Sequence, residues 1–235
     1  MTVSARFRTF IFLAGLSVLG TTSFAQSRHP SPADWRDQNI YFIFADRFFD
    51  GDKSNNTANN SQLQYNLGGN WNHHGGDFRG IEQKLDYIQA LGATTIWITP
   101  IVQNYGISSW HGYGATDFYS LQPNWGTTND LKSFVNAAHD RGMYVVLDVV
   151  INHMGDKVNP GGTPFNINGY TPSWRRGQMH APPFNNLTNF HNNGAIQNYD
   201  NQTEVELGEL SGLDDLRTET EYVRNQSCRN LQALD

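Results

Sequence analysis

The 235-residue chain holds a single cysteine, Cys228, so no disulfide can form within it. Lysine and arginine number 16 against 22 acidic residues, for a formal net charge of -6, and no block is rich in basic residues. Without a broad basic patch, a nucleic-acid partner is not expected. Charged residues make up only 16% and hydrophobic residues 38%, which argues against a disordered polyelectrolyte. No long apolar run is present either. The run near the start, Phe10 to Gly20, is about half of the ~20 residues that a spanning helix needs.

That short run has a meaning of its own. Arg6 and Arg8 precede it, and Ser23 and Ala25 follow at small-x-small spacing. This is the layout of an export signal. Residues 1–25 are expected to be cleaved after Ala25, leaving a secreted or periplasmic chain with no membrane contact. An exported chain without disulfides needs other staples, and bound metal is one.

Three segments are apolar runs of strand length: Ile40 to Ala45, "TTIWITPI" at 94–101, and "VVLDVVINH" at 145–153. Between the first two, Ile81, Leu85, Ile88 and Leu91 recur at helical spacing over 78–92, with Gly92 at the end. Thr127 and Asp130 form a capping-box pattern. Leu131, Phe134, Val135 and Ala138 then make an apolar helix face that Gly142 closes. Near-continuous apolar strands alternating with helices describe a parallel sheet covered by helices. From Met154 to Gly212 no long periodic segment occurs, which reads as an inserted small domain. From Leu213 the chain is acidic and polar.

In such sheets function sits at the C-terminal strand ends. Three ends here carry polar clusters: Asp46-Arg47, the loop after Pro100, and Asn152-His153. Asp50, Asp52, Asn55 and Asn56 place four short oxygen-bearing side chains close together, as a hard cation requires. It is no EF-hand, because Ser61 stands where the closing Glu belongs. Asp77 either favours a helix N-terminus or closes that cation site. His73 and His74 are adjacent, and adjacent histidines rarely aim at one ion, so zinc is not expected. "WHGYGATDFY" at 110–119 combines aromatic rings that can pack on sugar rings with polar neighbours for hydroxyls. Packing of that loop against the sheet is the alternative.

Taken together, "IYFIFADRFFDGD", "HGYGATDFY", "DVVINH" and "GLDDL" resemble the alpha-amylase family of glycoside hydrolases, starch-acting enzymes on a (β/α)8 barrel. The order and spacing agree over about residues 34–220. The resemblance implies an α/β fold: the N-terminal portion of a TIM barrel, with a small domain inserted after the third strand. Its barrel units would span 26–153, the insertion 154–212, and the return to the barrel 213–235. It implies an α-glucan substrate. Tyr113 would stack on the sugar next to the cleaved bond, His153 would hydrogen-bond it, and His111 would line the pocket. Asp148 would organise the site. Calcium would be held by Asn152 and Asp215 between barrel and insertion. A second calcium would be held by Asp50, Asp52, Asn55, Asn56, the Gly75 carbonyl and Asp77. Two positions depart from the family: Gly114 where relatives often carry Trp, and Asp214 where they carry Pro.

The largest departure concerns the chemistry. Retaining glycosidases need two carboxyl groups facing each other across the bond. The family's fourth-strand pattern for one of them, G-x-R-x-D, does not occur in the chain. "QSCRNLQALD" at 226–235 reads as departing from the family, as a truncated or frame-shifted product would. The expectation is therefore a form without catalytic carboxylates, inactive alone and prone to aggregate through open sheet edges. Further readings are a non-catalytic glucan-binding protein, a calcium-binding module, or a cyclodextrin-forming glucanotransferase parent. No protein partner is expected.

Overall fold

The computed structural model describes residues 30–59, 64–104, 107–159 and 162–233. The expected export signal and Ser61 lie outside them. The barrel part runs β1 (Ile40–Ile43), α1 (Ala45–Phe48), α2 (Phe78–Gln83), α3 (Leu85–Ala90), β2 (Thr95–Ile98), β3 (Val102–Asn104), β4 (Ala115–Leu121), α4 (Thr128–His139) and β5 (Tyr144–Leu147). Then follow β6 (His153–Met154), β7 (Val158–Asn159), β8 (Ser173–Trp174), α5 (Gln202–Leu207), β9 (Asp214–Asp215) and α6 (Glu221–Ala233).

β1, β2 and β5 form a parallel sheet in the order β1-β2-β5. Successive strand residues point to opposite faces. Tyr41, Ile43, Ile96, Ile98, Val145 and Leu147 meet Phe78, Ile81, Leu85, Ile88, Phe134 and Ala138 of the covering helices in one core. On the other face Ile40, Phe42 and Trp97 are exposed, with the Phe42 and Trp97 rings 4.6 Å apart. The capping box forms as expected: Asp130 accepts from the Thr127 N–H at 2.8 Å, and the Thr127 side chain accepts from Asp130. Arg79 of α2 donates to the same carboxylate at 2.8 Å, tying the two helices together.

Three element bounds differ from the sequence reading. The helix over 78–92 is two helices, broken at Lys84, whose backbone leaves the helical region (φ -107, ψ 11). The first strand ends at Ile43, and Ala45 opens a single helical turn. The third strand ends at Leu147 rather than His153. The Asp148 N–H makes one further rung to Ile98 at 3.1 Å, and then the chain leaves the sheet.

The irregular stretch departs through β6 and returns through β9, which pair antiparallel as His153↔Asp215 and Met154↔Asp214. It shares a second core, Val102, Ala115, Phe118, Met154, Val158, Phe184, Phe190, Leu216 and Val223, with the β3–β4 hairpin and α6. That core crosses the expected 154 and 212 boundaries. The helix α5 was not legible in the sequence.

Asp214, the residue standing in place of Pro, fastens this return. Its buried carboxylate accepts from the backbone N–H groups of Lys157 (2.9 Å) and Val158 (3.2 Å) and from His180 Nε2 (2.7 Å). A proline has no group that could accept them. Removing a buried charge's partners or the charge itself typically costs about 3 kcal/mol. Asp214→Ala should therefore lower the unfolding free energy by about that much in urea titration. A loss under about 1 kcal/mol would mean the clasp is dispensable.

Candidate functional site

The β3–β4 hairpin carries the loop that joins Trp110, His111 and Tyr113. Trp110 lies between the Phe44 ring (5.4 Å) and the Arg47 guanidinium (3.9 Å), both from the end of β1. A cation over an indole face is attracted to it, so Arg47 fixes the loop's base. The rings of His111 and Tyr113 stack at 5.5 Å and 29°. The Tyr113 N–H donates to His111 Nδ1 at 3.0 Å. Burial, then the neighbouring His153, lowers the His111 pKa, so the ring is neutral near pH 7 with its proton on Nε2. The Tyr113 hydroxyl donates to Asp148 at 2.8 Å. Burial, then that carboxylate, raises the phenol pKa and holds the tyrosine in its donor form.

His153 is held from both sides. Asn152 Nδ2 donates to its Nδ1 at 3.3 Å, and its Nε2 donates to the Tyr113 carbonyl at 3.2 Å. The structure thus brings His111, Tyr113, Asp148 and His153 together. His153 also grips the protein's own loop through its Nε2. Gly114 has a packing reason: a Cβ there would lie 2.4 Å from Ser109 Oγ, so no larger side chain fits without moving Ser109.

The pairing of β6 with β9 brings Asn152 beside Asp215, with Asn152 Nδ2 3.5 Å from Asp215 Oδ1. The other Asp215 oxygen lies 2.5 Å from His191 Nδ1. A cation here would share Asp215 with that imidazole.

The loop after α1 is better organised for a cation. Asn55 Nδ2 donates to Asp77 (3.1 Å) and Asn56 Nδ2 donates to Asp50 Oδ2 (2.9 Å). Both amide oxygens are thereby turned away from these carboxylates. Asn55 Oδ1, Asn56 Oδ1 and Asp50 Oδ1 are all buried with no hydrogen-bond partner. Buried orphan oxygens are costly unless something electropositive meets them. Gly75, at φ +91, lies against Asn56, where a Cβ would meet Asn56 Oδ1 at 2.7 Å. Among the described residues no group of three His, Cys, Asp or Glu is arranged for a metal. Amide, carbonyl and single-carboxylate oxygens are nonetheless the donor set that calcium accepts.

Two expected ligands are engaged otherwise. Asp52 turns to Ser54, accepting from its N–H (3.0 Å) and hydroxyl (2.6 Å). Asp77 caps α2 through Gly80 N–H (2.6 Å) and accepts from Gly51 (3.2 Å), Asp52 (2.8 Å) and Asn55. Of the two readings of Asp77, the helix cap is thus observed. His73 and His74 do not share an ion. The buried His73 ring pairs with Asp46, while His74 Nε2 bonds the Gly69 carbonyl at 3.0 Å. Asp46 also accepts from the N–H groups of His74 (2.9 Å) and Gly75 (3.3 Å).

A parallel sheet of three strands alternating with covering helices defines the class: the N-terminal portion of a (β/α)8 barrel. The family model "Alpha amylase, catalytic domain" matches residues 42–234. The chain belongs to the alpha-amylase family. It is 39% identical over 217 residues to a beta/alpha-amylase of Paenibacillus polymyxa, covering 88% of this chain and 16% of that one. It is 38% identical over 204 residues to an alpha-amylase of Saccharomycopsis fibuligera, covering 82% and 37%. An Anoxybacillus alpha-amylase crystal structure superposes with a TM-score of 0.67 at 35% identity, over 85% of this chain and 38% of that one. The chain thus spans well under half the length of these relatives. The family match extends through the segment from 226, which the sequence reading set outside the family. Residues 226–233 lie in α6, whose Val223 joins the second core.

Glu209 was not visible in the sequence. Tyr170 donates to its Oε1 at 2.6 Å, and its Oε2 is buried without a partner. Burial, then the carboxylates of Asp214, Asp156 and Asp215, push its pKa from 4.5 to about 7. The folded chain then binds this proton more tightly than the unfolded one. Stability from Glu209 is present at acid pH and falls as pH rises through 4.5 to 7. Melting curves across that window should show wild type losing ground to Glu209→Gln as pH rises. Parallel profiles would refute this.

Proposed function

We propose that the chain forms the glucan-holding side of an exported, retaining α-1,4-glucan hydrolase. The observation that carries this is the Tyr113–Asp148 hydrogen bond at 2.8 Å with His111 stacked on the same ring. It presents a rigid aromatic face and an imidazole donor at the strand ends, the combination that a sugar ring and its hydroxyls require. Tyr113 stacks on the sugar beside the scissile bond. His111 offers its Nε2 proton to a hydroxyl. His153 fixes the Tyr113 backbone and closes the pocket wall, and Asp148 braces the phenol rather than moving a proton.

Calcium supplies charge neutralisation and loop cross-linking. Asn152 and Asp215 hold one ion, fastening the irregular segment to the barrel. Asp50, Asn55, Asn56 and the Gly75 carbonyl hold the other. Bond cleavage needs two opposed carboxyl groups. The G-x-R-x-D pattern is not in this sequence, so the 235 residues bind glucan without cutting it. Residues 1–25 act as the export signal. Among the described residues no helix is long and apolar enough to cross a membrane.

Calorimetry with maltoheptaose should show binding that Tyr113→Ala weakens at least tenfold, about 1.4 kcal/mol. Starch incubated with the chain should release no reducing ends. Equal affinity in the variant, or release of sugar, would overturn the assignment. Calcium at a hundredfold excess over its dissociation constant should raise the unfolding free energy by about 2.7 kcal/mol per site. Asp50→Ala should remove the share due to its loop. A melting temperature indifferent to calcium would sink both cation assignments.

A further inference from the structure

Three amide side chains, Asn104, Gln122 and Asn124, are completely buried. Gln122 and Asn124 bond head to tail, and Asn104 joins them through its backbone N–H, its own Nδ2 donating to the Val102 carbonyl. The Gly114 N–H donates to Asn104 Oδ1 at 2.8 Å. The Asn104 N–H donates to Gln122 Oε1 at 3.1 Å. Gln122 Nε2 donates to Asn124 Oδ1 at 2.8 Å. Asn124 Nδ2 donates to the backbone carbonyls of Asn55 (3.2 Å) and Asn56 (2.8 Å). Every donor in the series points the same way, from the loop carrying Tyr113 toward the loop whose side-chain oxygens are orphaned. Head-to-tail bonds in a dry interior polarise one another, and no link can be left open without burying an unpaired amide.

We propose that this amide chain makes Asn104, Gln122 and Asn124 positioning residues that couple cation binding at Asp50, Asn55 and Asn56 to the placement of the Gly114 backbone beside Tyr113. For the sugar it rests on the glucan reading above. An ion that draws Asn55 and Asn56 into one position polarises their carbonyls and fixes Asn124, hence Gln122, Asn104 and Gly114. By linkage, a saccharide that orders the Tyr113 loop raises cation affinity by the same factor. A separate tie runs from Gly75 through Asp46 and Arg47, but it reaches Trp110 and not Gly114. The two routes are therefore distinguishable.

The test uses the whole chain and two readouts: hydrogen exchange at the Gly114 N–H with and without calcium, and maltoheptaose affinity with and without calcium. Calcium should slow Gly114 exchange at least fivefold and tighten maltoheptaose binding by about fivefold or more. Gln122→Met keeps the volume but removes both bonds of the middle link. It should abolish both effects while calcium and maltoheptaose each still bind. Should Gln122→Met fail to melt cooperatively, two cation-site variants decide the matter. Calcium protection of Gly114 should vanish in Asp50→Ala and persist in Asn152→Ala. Gly114 exchange indifferent to calcium in the wild-type chain, or coupling that survives in Gln122→Met, overturns the proposal. If maltoheptaose does not bind at all, the glucan reading falls, and Gly114 exchange still decides this one.

Discussion

Ile43, Ile98 and Leu147 end their strands side by side in parallel register, and the site rests on that constraint. Because the strands stop level, the residues just beyond them emerge on one edge. Asp46 and Arg47 follow the first strand, the Trp110–Tyr113 loop follows the second, and Asp148 follows the third. A slip of one residue in any pair would turn its apolar set to the wrong face. It would also carry Asp148 away from Tyr113 and Arg47 away from Trp110. The helix-side core holds the register, since Ile43, Ile96 and Ile98 are fully buried against α2, α3 and α4.

Much of this was legible in the sequence. Continuous apolar strands, helical spacing, the capping box and the glycines at 92 and 142 describe local preferences, and local preferences survive folding. The grouping of Tyr113, Asp148 and His153 followed from strand ends and family likeness together. What the fold adds is what depends on partners distant in the chain. Asp52 and Asp77 read as equals to Asp50, yet Ser54 takes one and the α2 N-terminus takes the other. His153, read as a sugar ligand, also binds the Tyr113 carbonyl through its Nε2. Asn104, Gln122 and Asn124 carry no motif at all. An amide looks the same in sequence whether exposed or buried, and only the fold shows that these three are dry.

Polar satisfaction separates the two kinds of loop at this edge. Around Tyr113 the phenol, its backbone N–H and its carbonyl all find protein partners, so this wall is preorganised. In the loop after α1, by contrast, the Asn55 and Asn56 amide nitrogens are satisfied and the oxygens beside them are not. An interior tolerates unmet oxygens only where something outside the chain completes them. The asymmetry within single side chains, one end bonded and the other bare, is what sets this loop apart.

The second core shows how the irregular segment earns its place. It has few regular elements, but it is not a free appendage, because Met154 and Leu216 bury together with Val102, Ala115 and Phe118 of the β3–β4 hairpin. The hairpin that carries the sugar wall is thus packed on this second core, while its roots adjoin the first through Ile101. Asp214 closes that arrangement by taking two backbone N–H groups and an imidazole. Asp214 is thus a buried anchor at the return to the barrel. That anchor keeps Asp215 on the strand beside His153, so the position of the Tyr113 loop is fixed from below by strand register and from above by this clasp.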